Sequence, residues 1–321
     1  MCNVKYFICP MSKEIIDSVI EMNDDRLGLI PSRRQVDYNS GYVMETKSFF
    51  DYVRKKSNIL IERDHAGVGQ GNVEFDEYIS YEKDSFYMDI IHVDPWKKYP
   101  ILDEGIFETV RNIEFLNYHN FELLYEIGTE QSIRPFTAKE LDYLINKIKN
   151  KLNETNFSKI EYVCIQSGVG LDIINKKNIG VFDLDRMKEM ISIVNEYGKK
   201  TKEHNGDYLT EEEYKIRFEN GLDSINIGPE IVQIQTSIYL DIMTKTEIDD
   251  FYEICFKSNK WQKWVDDDFD ISNKENLIMI CGHYNYNSLN KNFMNLSAFD
   301  NMDEIIKEKI KSKLKELLSY V

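Results

Sequence analysis

Two histidines carry the first chemical signal in this chain. His65 follows Asp64 and leads into Ala66-Gly67, while His204 opens the run Asn205-Gly206-Asp207. Neutral imidazole is the commonest protein ligand for a divalent transition metal, and imidazoles from separate segments can converge on one ion with a carboxylate. Glu130, in Gly128-Thr129-Glu130, is the natural third donor, and Gln166, in Gln166-Ser167-Gly168, offers an oxygen to a metal or to a substrate. An aspartate beside a metal ligand suits proton transfer to and from a substrate hydroxyl. Asp64 is therefore the candidate acid/base, with Asp89 or Glu130 as its opposing group. A single histidine in such a place often does no more than close a loop hydrogen bond. Two of five in matching surroundings favour a shared site. His92 reads as a supporting group, and His119 and His283 as structural.

Residues this far apart need a scaffold that brings them together. Short apolar runs alternate with longer helical segments along the chain. The pattern predicts strands at 6–9, 27–30, 59–62, 86–90, 122–127, 160–165 and 224–227. It predicts helices at 12–22, 47–55, about 103–118, 137–152 and 183–197. The polar stretch 199–203 is taken as a seventh strand because it falls between two helices in an otherwise regular count. Eight β/α units predict a (β/α)8 TIM barrel over residues 1–244. No GxGxxG follows the first strand, which argues against a dinucleotide-binding sheet. After Thr244 the rhythm stops, and residues 245–321 read as a helical C-terminal extension packed on the barrel.

In a barrel the chemistry sits at the carboxyl ends of the strands. The second strand runs into Arg33-Arg34-Gln35-Val36-Asp37, the third into Asp64-His65, the fourth into Asp89 and the fifth into Glu130. The sixth leads to Gln166-Ser167, the seventh to His204-Asn205-Gly206-Asp207 and the eighth to Gly228-Pro229. Neighbours in a regular strand face opposite ways, but a chain turning at a strand end lets Asp64 and His65 both reach the mouth. Arg33 and Arg34 are candidates for anion contact. Gly206 and Gly228 lie where barrels often bind phosphate. Gln35, Asp37, Ser167, Asn205 and Asp207 complete the candidate substrate contacts.

Bulk composition narrows the partners. A hydrophobic fraction of 42% supports a large core, and 40 Lys+Arg against 56 Asp+Glu give a net charge of −16. That field repels phosphate backbones and anionic lipid, so nucleic acid and membrane surfaces are not expected partners. A small anion stays open, because a local arginine or an amide nest overrides the global field. Five cysteines without a CxxC pair indicate neither a zinc ribbon nor a disulfide framework. The first apolar run stops at Pro10 and none later approaches 18 residues, so the expected compartment is the cytoplasm.

Taken together, the strand-end motifs resemble those of the non-catalytic-subunit family of class II D-tagatose-bisphosphate aldolases. The likeness runs from about residue 7 to 239. It is carried by Gln35-Val36-Asp37 with Gly41-Tyr42, Asp64-His65 with Gly67, Asp89, and Ile127-Gly128-Thr129-Glu130. Further along it is carried by Gln166 with Gly168-Val169 and Asp172, His204 with Asp207-Tyr208 and Thr210, and Ile227-Gly228-Pro229. The resemblance implies a barrel related to zinc-dependent class II aldolases and to metal-dependent ketose 4-epimerases. It implies Asp64 as acid/base, His65 and His204 as metal ligands, and a phosphate loop at Asn205-Gly206. Gln166 stands where the catalytic aldolases carry a further metal histidine. The implied ligand set is thus His65, Glu130, Gln166 and His204, holding Zn²⁺ or else Mn²⁺, Ni²⁺ or Co²⁺. The implied activity is epimerisation of a ketose or ketose phosphate, by cleavage and re-addition at C4 or by deprotonation at C3. A ketose-bisphosphate aldolase and a non-catalytic partner of an aldolase subunit are the alternatives, and a homo-oligomer fits either. The Arg33-Arg34 pair, His92 and the shorter tail depart from the family pattern and point to a specialised substrate.

Overall fold

The computed structural model describes residues 3–39, 41–71, 77–266, 268–289 and 301–321. Its barrel strands are β1 (Tyr6–Ile8), β2 (Leu27–Leu29), β3 (Glu62–Ala66), β4 (Ile90–Val93), β5 (Leu124–Ile127), β6 (Ile160–Cys164), β7 (Lys200–Glu203) and β8 (Ser224–Ile227). They pair in parallel in the order β2-β1-β8-β7-β6-β5-β4-β3. The parallel bridges Leu29↔Ile61 and Ser32↔Asp64 bring β2 against β3, so the ring closes as a (β/α)8 barrel. One main helix follows each strand: α1 (Lys13–Met22), α2 (Thr46–Arg54), α3 (Glu77–Ser85), α4 (Leu102–His119), α5 (Ala138–Lys151), α6 (Leu184–Glu196), α7 (Glu211–Glu219) and α8 (Pro229–Ile242).

Two strands lie further along the chain than the apolar pattern suggests. The third was expected at 59–62 and runs over Glu62–Ala66; the fourth was expected at 86–90 and runs over Ile90–Val93. Phe86 drew the fourth prediction forward, yet its ring is 53% exposed in the turn after α3. The β-branched residues of Ile90-Ile91-His92-Val93 make the true strand, and Pro95 lies just beyond it.

Alternation along the strands sorts side chains between two cores. Phe7, Ile30, Ile90 and Tyr162 pack together as an apolar floor inside the barrel, while Ile8, Leu29, Ile91, Ile127 and Val163 pack outward into the helix layer. Gly28 makes room for that floor, since a Cβ there would lie 2.6 Å from the Phe7 ring. Above the floor the barrel interior is charged. Lys202 Nζ donates to Glu62 Oε2 at 2.5 Å and to Glu126 Oε2 at 3.0 Å, and all three side chains are fully buried. This explains the polar seventh strand. Its Lys202 meets acids from β3 and β5, and its Glu203 faces outward to Ser167 and Arg217.

Lys199, at the foot of β7, donates to the Phe157 and Ser158 carbonyls, and burial pushes its ammonium down to about 8. The unfolded chain keeps that proton to about pH 10.4. Between those values the unfolded state binds more protons, so this lysine makes stability rise with pH. The melting temperature of Lys199→Met relative to wild type is accordingly expected to fall as pH goes from 7 to 10. A pH-independent difference would contradict the buried, proton-poor lysine.

After the barrel come α9 (Lys245–Lys257), α10 (Lys274–Cys281) and α11 (Met302–Leu318). Ile306, Ile310, Leu314 and Leu317 form one buried stripe of α11, which packs against α1 and α8. Tyr6 Oη anchors it by donating to the Leu317 carbonyl at 2.9 Å. α10 packs on α8, and the segment between α9 and α10 carries Lys263 and Trp264 to the barrel mouth. No described helix is long and apolar enough to cross a membrane.

Candidate metal centre

Four side chains, Asp64, His65, His92 and His204, each offer one ligand atom at the carboxyl end of the barrel, all within 4.8 Å of one another. The backbone of β3 explains how two consecutive residues contribute. Arg63 faces outward, clamped by Asp84 of α3 through Nε (2.9 Å) and Nη2 (2.7 Å) and by the Pro31 and Val36 carbonyls. Glu62 and Asp64 therefore face inward. Pairing with β4 then slips between Arg63 and Ala66, and His65 takes a left-handed φ of 45°. This bulge brings the His65 imidazole to the mouth beside Asp64. A left-handed histidine is strained, and such strain concentrates at functional sites.

Each of the three imidazoles spends one N–H outside the cluster. His65 Nδ1 donates to Asp94 Oδ2 at 2.7 Å, His92 Nε2 to the Gly128 carbonyl at 3.0 Å and His204 Nε2 to Glu126 Oε1 at 2.9 Å. These acceptors fix the tautomers. The remaining nitrogens, His65 Nε2, His92 Nδ1 and His204 Nδ1, are left to the interior, and the ring centroids lie 4.8–5.0 Å apart. His92 Nδ1 and Asp64 Oδ1 are buried without a hydrogen-bond partner. Asp64 Oδ1 lies 3.5 Å from His65 Nε2 and 3.6 Å from His204 Nδ1. An unsatisfied buried polar atom costs about 1–3 kcal/mol. A divalent cation among these nitrogens and the carboxylate would satisfy them together, so the donor set fits a metal.

The electrostatics agree with that fit at two of the three imidazoles. Burial first, then His204 and His65 around His92 and His65 and Lys202 around His204, holds both rings well below the usual imidazole range, so both are neutral as ligands must be. Burial also opposes charge on His65, but Asp64, Asp94 and Glu130 outweigh it and push that imidazole up to about 10, so this ring must give up a proton to ligate a metal. Burial, with help from Glu130 and Glu126, raises Asp64 to about 6. Asp94 is held below the usual carboxylate range; burial opposes this and the His65 hydrogen bond prevails. Thr129 Oγ1 also donates to Asp94 at 3.0 Å.

Several expected site residues do gather here. Arg33, Arg34, Gln35, Glu130 and Asn205 line one cavity of about 320 Å³ with Asp64 and His65. Glu130 stands beside them, its carboxylate bonded by Asn205 Nδ2 and Ser132 Oγ, 3.9 Å from His65 Nε2.

Others are placed elsewhere. Asp89 lies at the amino end of β4, where Arg54 (2.5 Å) and the Ile61 amide (2.8 Å) take its carboxylate, so it cannot oppose Asp64. Asp89→Asn is expected to lower the melting temperature while leaving metal content unchanged; a loss of metal would contradict this placement. The Gln166 amide is used up structurally: Nε2 donates to the Thr129 and Arg134 carbonyls, and Oε1 accepts from Phe136 N and Arg186. Ser167 is spent on Glu203 through both its amide and its hydroxyl. Asp37 is buried against Arg33 at 3.5 Å. Gly206 N donates to the Asn226 carbonyl. Gly228 N donates to Asp207 Oδ1 at 2.9 Å, which removes both Gly228 and Asp207 from substrate contact. His92 and Asp94, by contrast, join the centre although the pattern gave one a supporting role and the other none. The run Ile90-Ile91-His92-Val93 before Asp94-Pro95 was the available signal.

No protein-family model matches the sequence, and no curated protein matches it. Solved structures do. A probable tagatose 6-phosphate kinase from Sinorhizobium meliloti 1021 superposes with a TM-score of 0.71 at 14% identity, covering 99% of this chain and 100% of that one. The fructose-bisphosphate aldolase of Campylobacter jejuni gives 0.57 at 9% identity over 99% and 90%, and the YdjI aldolase of Escherichia coli K12 gives 0.55 at 11% over 98% and 90%. At such identities the likeness shows the shared barrel.

Proposed function

We propose that the chain is a divalent-metal-dependent enzyme of the class II aldolase type acting on a ketose or ketose phosphate, and specifically an epimerase. The observation that carries this reading is the set of three imidazoles, each fixed by an outer acceptor, around the buried Asp64. Two of the similar barrels are named as aldolases, which supports the same reaction class. His65, His92 and His204 would hold the ion, replacing the Glu130 and Gln166 of the implied set. Nitrogen-rich donors suit Zn²⁺, and Ni²⁺ or Co²⁺ among the alternatives. When bound, the metal would act as a Lewis acid on the ketose carbonyl and an adjacent hydroxyl oxygen.

The protein's own groups would move the protons. Asp64, raised toward neutrality by burial, would take the hydroxyl proton as the C3–C4 bond opens and return it as the bond re-forms. Glu130, held in place by Asn205 and Ser132 in the same cavity, would be the second proton-transfer group. Trp264 and Tyr284 line the same mouth and would help retain the fragments, which separates an epimerase from an aldolase. A purely stabilising subunit has no need of three oriented imidazoles around an unsatisfied carboxylate.

The test is turnover of the metal-loaded chain on a panel of ketoses and ketose phosphates, followed by NMR. The expected product is the epimeric ketose without free triose. Free triose would make the enzyme an aldolase, and no turnover with any of Zn²⁺, Mn²⁺, Ni²⁺ or Co²⁺ would remove the enzymatic reading. Asp64→Asn is expected to lower kcat by about 10²–10⁴-fold while its metal content stays at the wild-type level.

A further inference from the structure

The place where barrels often bind a substrate phosphate is already filled in this one. Such phosphates sit on the loops after the seventh and eighth strands, at amides of a helix N-terminus. Here Asp207 Oδ1 accepts from the amides of Gly228 (2.9 Å) and Glu230 (2.8 Å) at the start of α8. Asp207 is buried, and Glu230 places a second acid beside it, bonded to the Tyr208 amide. A phosphate would have to expel a carboxylate to reach these amides.

Cations gather instead in the cavity beside the imidazoles. Arg33 and Arg34, from the loop after β2, and Lys263, from the segment before α10, line it together with Asp64 and His65. Arg33 has an answering acid in Asp37 at 3.5 Å. The charges acting on Lys263 are of its own sign: after partial burial at the mouth, Arg34 and then Lys260 push its ammonium down. Its Nζ lies 4.2 Å from the Trp264 ring centroid and 5.1 Å from that of Tyr284, which restrains it at the mouth. Crowding like charges in one cavity is unfavourable until an anion joins them. The net charge of −16 makes the local excess of cations stand out further.

We propose that Arg33, Arg34 and Lys263 form an oxyanion subsite for one terminal phosphate of the sugar, so that the substrate is a ketose monophosphate. This rests on the reading of the site given above. Arginine forks match phosphate oxygens in pairs, and a lysine adds a point charge. A second phosphate would meet the corner closed by Asp207 and Glu230.

Calorimetric binding of inorganic phosphate to the full, EDTA-treated chain reads this subsite without any turnover. Wild type is expected to bind, and the double variant Arg34→Gln/Lys263→Gln to bind at least about tenfold more weakly. Both side chains are exposed, so an unchanged melting temperature is expected for the variant. Equal affinity in the two proteins, or no phosphate binding by wild type, would overturn the subsite. These results stand even if no ketose is ever turned over, which keeps them separate from the epimerase reading. With an active enzyme, the monophosphate should exceed its unphosphorylated parent in kcat/KM, with no further gain for the bisphosphate. A bisphosphate preferred by tenfold or more would overturn the single-phosphate assignment.

Discussion

His92→Ala is expected to strip the protein of its metal and of its turnover together. His92 sits on β4 with Nε2 committed to the Gly128 carbonyl and Nδ1 buried with no hydrogen-bond partner. Its neutral state follows first from burial and then from the facing His204 and His65. A neutral, preoriented imidazole with a free lone pair is what a metal requires of a ligand. Losing an outer partner of a ligand typically costs 10–100-fold in metal affinity, so losing the ligand itself should cost at least about 100-fold. Competition against a chromophoric chelator measures this directly. His119→Ala is the control, because that histidine ends α4, away from the centre, and should leave affinity unchanged. Full metal retention in His92→Ala would return His92 to a supporting role.

The second large effect belongs to the barrel interior. Lys202→Met would leave Glu62 and Glu126 buried together without their cation. Breaking a buried ion pair from one side costs about 3–5 kcal/mol. The sign of the pH dependence follows from the carboxylates. Burial already raises Glu62 well above the usual range, with Lys202 opposing it; removing the lysine raises it further. In the variant the folded state would then hold protons that the unfolded chain releases above about pH 4.3. Stability of Lys202→Met should therefore fall further behind wild type as pH rises from 5.5 to 7.5. Urea unfolding at the two pH values tests it, and a penalty that shrinks with pH would contradict the buried triad. Because Glu126 also receives the His204 N–H, metal affinity should weaken in the same variant.

Much of this architecture was legible in the sequence. Alternating apolar runs predicted the barrel, and strand-end position singled out Asp64, His65, Glu130 and His204. What escaped depends on contacts between distant residues. The seventh strand reads as polar because its inward lysine is answered by Glu62, 140 positions away, and by Glu126, 76 positions away. The β3 bulge that turns His65 toward Asp64 leaves no mark in local composition. An apolar Phe86-Tyr87-Met88 run drew the fourth strand forward, which put Asp89 at the wrong end of the barrel and left His92 outside the centre. Gln166 and Asp207 have the right chemistry for ligand and substrate contact, but backbone groups of neighbouring loops already occupy them.

The proposed centre holds one cation on three imidazoles at the mouth of the barrel, beside Asp64. Anomalous diffraction from crystals grown with Zn²⁺, collected on both sides of the zinc edge, tests it most directly. One strong zinc peak is expected, bonded to His65 Nε2, His92 Nδ1 and His204 Nδ1, with Asp64 beside it. Ordered imidazoles with no zinc peak between them, or zinc held by Gln166 in place of His92, would contradict it.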